Sequence, residues 1–116
     1  MHLHVVIENA ALRPGLRELV EQRLKSALGR FADRIGWVSA RLQQVNSFAE
    51  GRGHRCRIEV SLVAVCILTA QARAVDAEMA VSRAAERIER RVKAELDRRR
   101  AAQKQASAYP QPPIGA

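Results

Sequence analysis

At roughly 100° per residue, Arg83, Arg87, Arg90, Arg91 and Arg98 fall on one flank of a helix-patterned stretch, and Glu78, Glu86, Glu89 and Asp97 fall on the other. A guanidinium is planar, permanently charged and rich in N–H donors, which suits it to phosphates and carboxylates. Charge sorted in this way can lay an arginine edge along a polyanion. It can also belong to a solvated helix with i,i+4 ion pairs such as Glu86–Arg90 and a basic end matched to the helix dipole. Arg98, Arg99, Arg100 and Lys104 make that end strongly basic. Arg23 and Arg30 border the apolar stripe of an earlier helical stretch, and Lys25 lies on its outer side. These eight residues, Arg83, Arg87, Arg90, Arg91, Arg98, Arg23, Lys25 and Arg30, are the candidate binding residues.

Other side chains carry weaker signals. His2 and His4 share one face of a strand, but no third ligand is placed to complete a metal site, so a solvent-facing pair is expected. Cys56 and Cys66 are ten apart, which is not a metal-ligand spacing, and they read as reduced thiols of a cytoplasmic protein. Ser47 lies in a loop-like stretch without a histidine near it in sequence. Gly51-Arg52-Gly53 is too short for a phosphate loop and opens a strand, not a helix. No catalytic activity, cofactor, metal or small-molecule substrate is expected.

The composition points the same way as the arginines. The net charge of +8 favours a polyanionic partner: RNA, DNA or an acidic membrane surface. Aromatic residues make up only 3% of the chain, and Phe31, Trp37, Phe48 and Tyr109 are scattered, which speaks against a surface that stacks many splayed bases. The chain enters a strand-like run without a basic and then apolar leader, so no secretory signal is expected. The apolar run from Val60 to Leu68 is far short of the ~20 residues that span a bilayer.

The elements that must position the arginines follow from periodicity. His2 to Glu8 alternates, with Leu3, Val5 and Ile7 on one face. Pro14 suits the first turn of a helix. Leu16, Leu19, Val20, Leu24, Ala27, Leu28 and Phe31 form its stripe, and Gly36 is expected to end it. Trp37 to Val45 is a second strand, with Val38, Ala40 and Leu42 facing in. Asn46 to Gly53 reads as a flexible loop. Arg55 to Leu62 and Cys66 to Val75 are the third and fourth strands, with a turn near Ala64 and Val65. Asp76 caps a long helix to about Lys104, with Val81, Ala84, Ala85, Ile88, Val92 and Leu96 as its stripe. The order is β-α-β-β-β-α. The expected class is α+β: one four-stranded sheet with both helices on one face. The other face is wet and carries His4, Arg41, Arg55, Arg57 and Arg73. One domain spans 1–101, and 102–116, with three prolines near its end, is expected to be a disordered tail.

Three stretches in this order resemble the ribosome hibernation-promoting factor and ribosome-associated inhibitor family, also called ribosomal subunit interface proteins. Ala11-Leu12-Arg13-Pro14-Gly15-Leu16-Arg17-Glu18-Leu19-Val20-Glu21 is similar to the start of the family's first helix. Phe31-Ala32-Asp33-Arg34-Ile35 resembles that helix's end, with one extra alanine. Ala85-Glu86-Arg87-Ile88-Glu89-Arg90-Arg91-Val92 resembles the second-helix signature. Glu78 and Ser82 stand where the family usually has tyrosine and aspartate. The resemblance, to a short form of the family, implies a double-stranded-RNA-binding-like fold. It implies a cytoplasmic bacterial protein, monomeric off the ribosome. Such a protein binds the small ribosomal subunit and its ribosomal RNA and blocks the messenger and transfer RNA channel under stress or in stationary phase. A generic double-stranded RNA binder, or a protein-interaction module that modulates an alternative sigma factor, are the other readings.

Overall fold

The computed structural model describes residues 1–8, 14–48, 51–63 and 66–108. Its elements are β1 (His2–Glu8), α1 (Leu16–Leu28), a 3-10 segment (Gly29–Arg34), β2 (Ile35–Phe48), β3 (Gly51–Leu62), β4 (Cys66–Ala74) and α2 (Ala77–Ala108). The four strands form one sheet in the order β1-β2-β3-β4. β1 pairs parallel to β2, and the other two pairings are antiparallel. The fold is the expected α+β sheet with two helices on one face.

Alternation decides which face is dry. Val5, Val38, Ala40, Leu42, Cys56, Ile58, Val60, Leu62, Leu68, Ala70, Ala72 and Ala74 are buried on the helix side. Val20, Leu24 and Leu28 of α1 and Val81, Ala84, Ile88 and Val92 of α2 close over them. Among the described residues the core holds no polar or charged side chain. The alanines of β4 leave room for the α2 backbone, so α2 lies on β3 and β4 and α1 packs beside it.

Several boundaries differ from the sequence expectation, each for a local reason. Pro14 lies before the helix. Gly15 is the N-cap, its φ of 84° is left-handed, and its carbonyl accepts from the Leu19 N–H at 3.0 Å. The first helix stops at Leu28, and the chain tightens into the 3-10 turn that half-buries Phe31, so Gly36 is a strand residue and not a helix breaker. The stretch expected as a flexible loop is mostly strand: β2 runs to Phe48 and β3 begins at Gly51, with Val45 opposite Gly53 and a bulge between Val45 and Phe48. Asp76 caps α2 as expected, accepting from the Glu78 N–H through Oδ1 at 2.9 Å. That helix runs on to Ala108, past the 101/102 boundary, because alanine, glutamine and lysine are good helix formers. Asn9 to Arg13, the turn at Ala64 and Val65, and 109–116 of the proposed tail lie outside the described residues.

Candidate nucleic-acid interface

The sorted charges of α2 have two different neighbours. β4 is an edge strand, so alternate carbonyls along it point away from the sheet without a ladder partner. Arg87 Nη1 donates to the Gln71 carbonyl and Arg91 Nη1 to the Thr69 carbonyl, each at 2.6 Å. Further along, Arg99 Nη1 donates to the Val63 carbonyl at 2.7 Å. The opposite edge of the sheet is treated alike: Arg17 Nη1 of α1 donates to the Val5 carbonyl of β1 at 2.7 Å.

The acidic flank of α2 faces α1. Arg23 of α1 reaches Glu78 at 3.4 Å and Arg30 reaches Glu89 at 3.2 Å, both in solvent-exposed pairs. Arg30 also lies over the Phe31 ring, 4.5 Å from its centroid. Part of the sorting is therefore accounted for within the fold: acid toward Arg23 of α1 and Arg30 of the 3-10 segment, base toward the free carbonyls of β4.

The eight candidate residues do not form one patch. Arg87, Arg90 and Arg91 come together with Arg57, Thr69, Ala70 and Gln71 around an open groove over the β4 edge. Arg83 is exposed one turn before Arg87 in the same row. Arg98 turns to Glu95 of its own helix, at 2.6 Å. The Arg98 guanidinium, by this hydrogen bond first, holds the Glu95 carboxyl below its usual range, and Arg99 adds to it. Arg23 and Arg30 sit on the far side of α2, at the helix–helix seam, and Lys25 is exposed on α1.

Arg57 lies outside the eight candidates, although its alternation puts it on the wet face. Its register opposite Gln71, one strand in from the edge, carries it to the α2 arginines. The alternation of β3 gave its face, but only the strand order could bring it to α2. Arg87 and Arg91 have N–H donors left after their carbonyl bonds, and Arg57 after its pair with Glu59 at 3.5 Å, so with Arg90 the cations there can meet successive phosphates. Arg55, Gln43, Glu8 and Arg41 form a second, open-face chain. Arg55 donates to Gln43 at 2.5 Å, Gln43 donates to Glu8 at 2.6 Å, and Arg41 pairs with Glu8 at 2.9 Å. Among the described residues no three His, Cys, Asp or Glu side chains are grouped to hold a metal, and no helix is long and apolar enough to cross a membrane.

The fold has known counterparts. A ribosomal subunit interface protein from Coxiella burnetii is 21% identical with a TM-score of 0.67, over 84% of this chain and 99% of that one. The N-terminal domain of Protein Y from Thermus thermophilus is 23% identical with a TM-score of 0.61, over 80% of this chain and 97% of that one. At these identities the likeness is one of fold. No curated protein matches the sequence. Residues 3–100, which take in the sheet, α1 and most of α2, match the family described as Sigma 54 modulation protein / S30EA ribosomal protein, and the chain belongs to that family.

Proposed function

We propose that this protein binds the small ribosomal subunit through the groove of Arg57, Arg87, Arg90 and Arg91, with Arg83 extending it, and so blocks the channel for messenger and transfer RNA in stressed or resting cells. It acts in the cytoplasm, as a monomer when off the ribosome. The observation that carries this reading is the convergence of cations from two elements around one exposed strand edge. Rigid, shape-based recognition of folded RNA needs basic groups on a fixed frame, and few aromatics. Family membership supports the ribosome as the particle that supplies the RNA, and the solved counterparts include one named for the ribosomal subunit interface.

The test is co-sedimentation with small ribosomal subunits on sucrose gradients at several salt concentrations. Wild-type protein migrates with the particles and leaves them steeply as salt rises, because each phosphate contact releases counterions. Arg90→Glu with Arg57→Gln removes two groove cations without touching the carbonyl bonds of β4, and this variant stays near the top of the gradient. Glu86→Gln, on the opposite flank, binds like the wild type. A folded double variant that still sediments with subunits at moderate salt refutes the groove. Wild-type protein that stays in the top fraction refutes the ribosome reading and favours a protein partner.

A further inference from the structure

Trp37, the single tryptophan, lies on the open face of the sheet, out of phase with the buried Val38, Ala40 and Leu42 of the same strand. Ile35 pairs with Leu62 and Trp37 with Ser61, so β2 holds one extra residue, Gly36, at this point. With strict alternation Ile35 and Trp37 would share the open face, opposite Val38, Ala40 and Leu42. The bulge inverts the parity ahead of Trp37: Ile35 is buried as Val38 is, while Trp37 keeps its place on the open face, 39% exposed. Its cross-strand row is His2, Trp37, Ser61 and Ile67, and Ile67 is 59% exposed.

Beside this indole the open face is concave and basic. Ser39, the next residue on the same face of β2, begins a depression of about 310 Å³ that is lined further by Arg41, Gln43, Arg55, Arg57 and Glu59. Its one lining carboxylate, Glu59, already engages Arg57 at 3.5 Å. Four residues of strand put Arg41 about 13 Å from Trp37. A flat aromatic next to a row of guanidiniums fits a single nucleic-acid strand, whose bases offer π-faces and whose phosphates follow the cations. A paired RNA helix offers no free base face, and an apolar peptide gains nothing from three arginines.

We propose that Trp37 is a stacking platform for one unpaired RNA base, with the adjoining phosphate held over the Ser39–Arg41–Arg57 depression. The inference rests on the reading of the protein as an RNA binder and uses the open sheet face, which shares Arg57 with the β4 groove.

Because Trp37 is the single tryptophan, its fluorescence reports on this site alone. Wild-type protein is titrated with a short unstructured oligouridylate and, separately, with inorganic polyphosphate as a base-free polyanion. The oligonucleotide quenches the indole emission by half or more, and polyphosphate quenches little. By anisotropy of labelled oligouridylate, Trp37→Ala binds about ten-fold more weakly, while Trp37→Phe, which keeps a ring, stays within about two-fold of wild type. Equal quenching by both polyanions, or unchanged affinity in a folded Trp37→Ala variant, overturns the proposal. So does a Trp37→Ala variant that loses small subunits while oligouridylate leaves wild-type emission unquenched, since the patch would then dock protein. The ribosome reading fails separately, on wild-type co-sedimentation, whatever the oligonucleotide does.

Discussion

Arg91 Nη1 donates to the Thr69 carbonyl at 2.6 Å, and Arg87 repeats the contact to Gln71 at the same distance. The repeat is a matter of matched rises. One helical step of four residues advances about 6 Å, and two residues of strand advance about 6.6 Å. Since α2 runs antiparallel to β4, arginines at i and i+4 meet alternate outward carbonyls in register. The device blunts an edge that would otherwise offer free carbonyls to another chain.

Replacing Arg87 and Arg91 together by alanine should therefore do two things in the free protein. Stability should fall by about 0.5–1.5 kcal/mol for each lost bond, in the range of ordinary hydrogen bonds. Self-association through β4 should also rise. Urea denaturation reads the first and light scattering across a concentration series reads the second. A variant with wild-type midpoint and no added association would mean that the two bonds leave the edge unprotected.

Ile88 sits wholly buried where α2 crosses the sheet. Truncation to alanine should cost roughly 2–5 kcal/mol, as removal of buried side-chain volume does in a core that cannot fully collapse. Ala94, exposed on the same helix, should accept serine with little change. Equal denaturation midpoints for the two variants would contradict the facing of α2.

How much of this was legible in the sequence depends on whether a feature is local. The dry and wet faces of all four strands were readable, because residues such as Cys56, Ile58 and Val60 alternate with Arg55, Arg57 and Glu59 without interruption. The stripe of α2 and its cap at Asp76 were readable for the same reason. The bulge at Gly36 was not, since it is defined by pairing with Ser61 and Leu62 far along the chain. The strand residues 46–48 and 51–53 were not readable because polar and glycine residues mark a loop in isolation, while here each run extends a strand whose partner holds it.

The candidate site was legible as charge and not as place. Arg87, Arg90 and Arg91 were found by helical phase, and they do share one groove. Arg23 and Arg30 were found by the same kind of count, yet the structure puts them across α2 against Glu78 and Glu89. Sorted charge on a helix records all of its neighbours, and only the topology tells which neighbour is missing and which is a strand edge or a second helix.

Those two helix–helix pairs give a prediction of their own. Both are largely solvent-exposed, so a double-mutant cycle on Arg30 and Glu89 should return a coupling of about 0.2–1 kcal/mol. The coupling should shrink as salt is raised, because exposed pairs are screened within about a Debye length. A coupling of several kcal/mol that is insensitive to salt would mean that the seam is drier than its exposure indicates.

The two thiols should separate cleanly in reactivity. Cys56 lies wholly buried on β3, and burial pushes its thiol from 9.0 up to about 12. Cys66, at the start of β4, is partly exposed. The thiolate is the reactive species, so under native conditions one equivalent of a thiol reagent should react, at Cys66, and the second only on unfolding. The same raised value fixes a sign for stability. Folded Cys56 holds its proton to a higher pH than the unfolded thiol does, so its contribution is fully present below about pH 9 and is lost as pH rises toward about 12. Denaturation midpoints of the wild type should fall with pH across that window more steeply than those of Cys56→Ala. Matching slopes in the two proteins, or rapid native labelling of Cys56, would show that this part of the sheet opens to solvent.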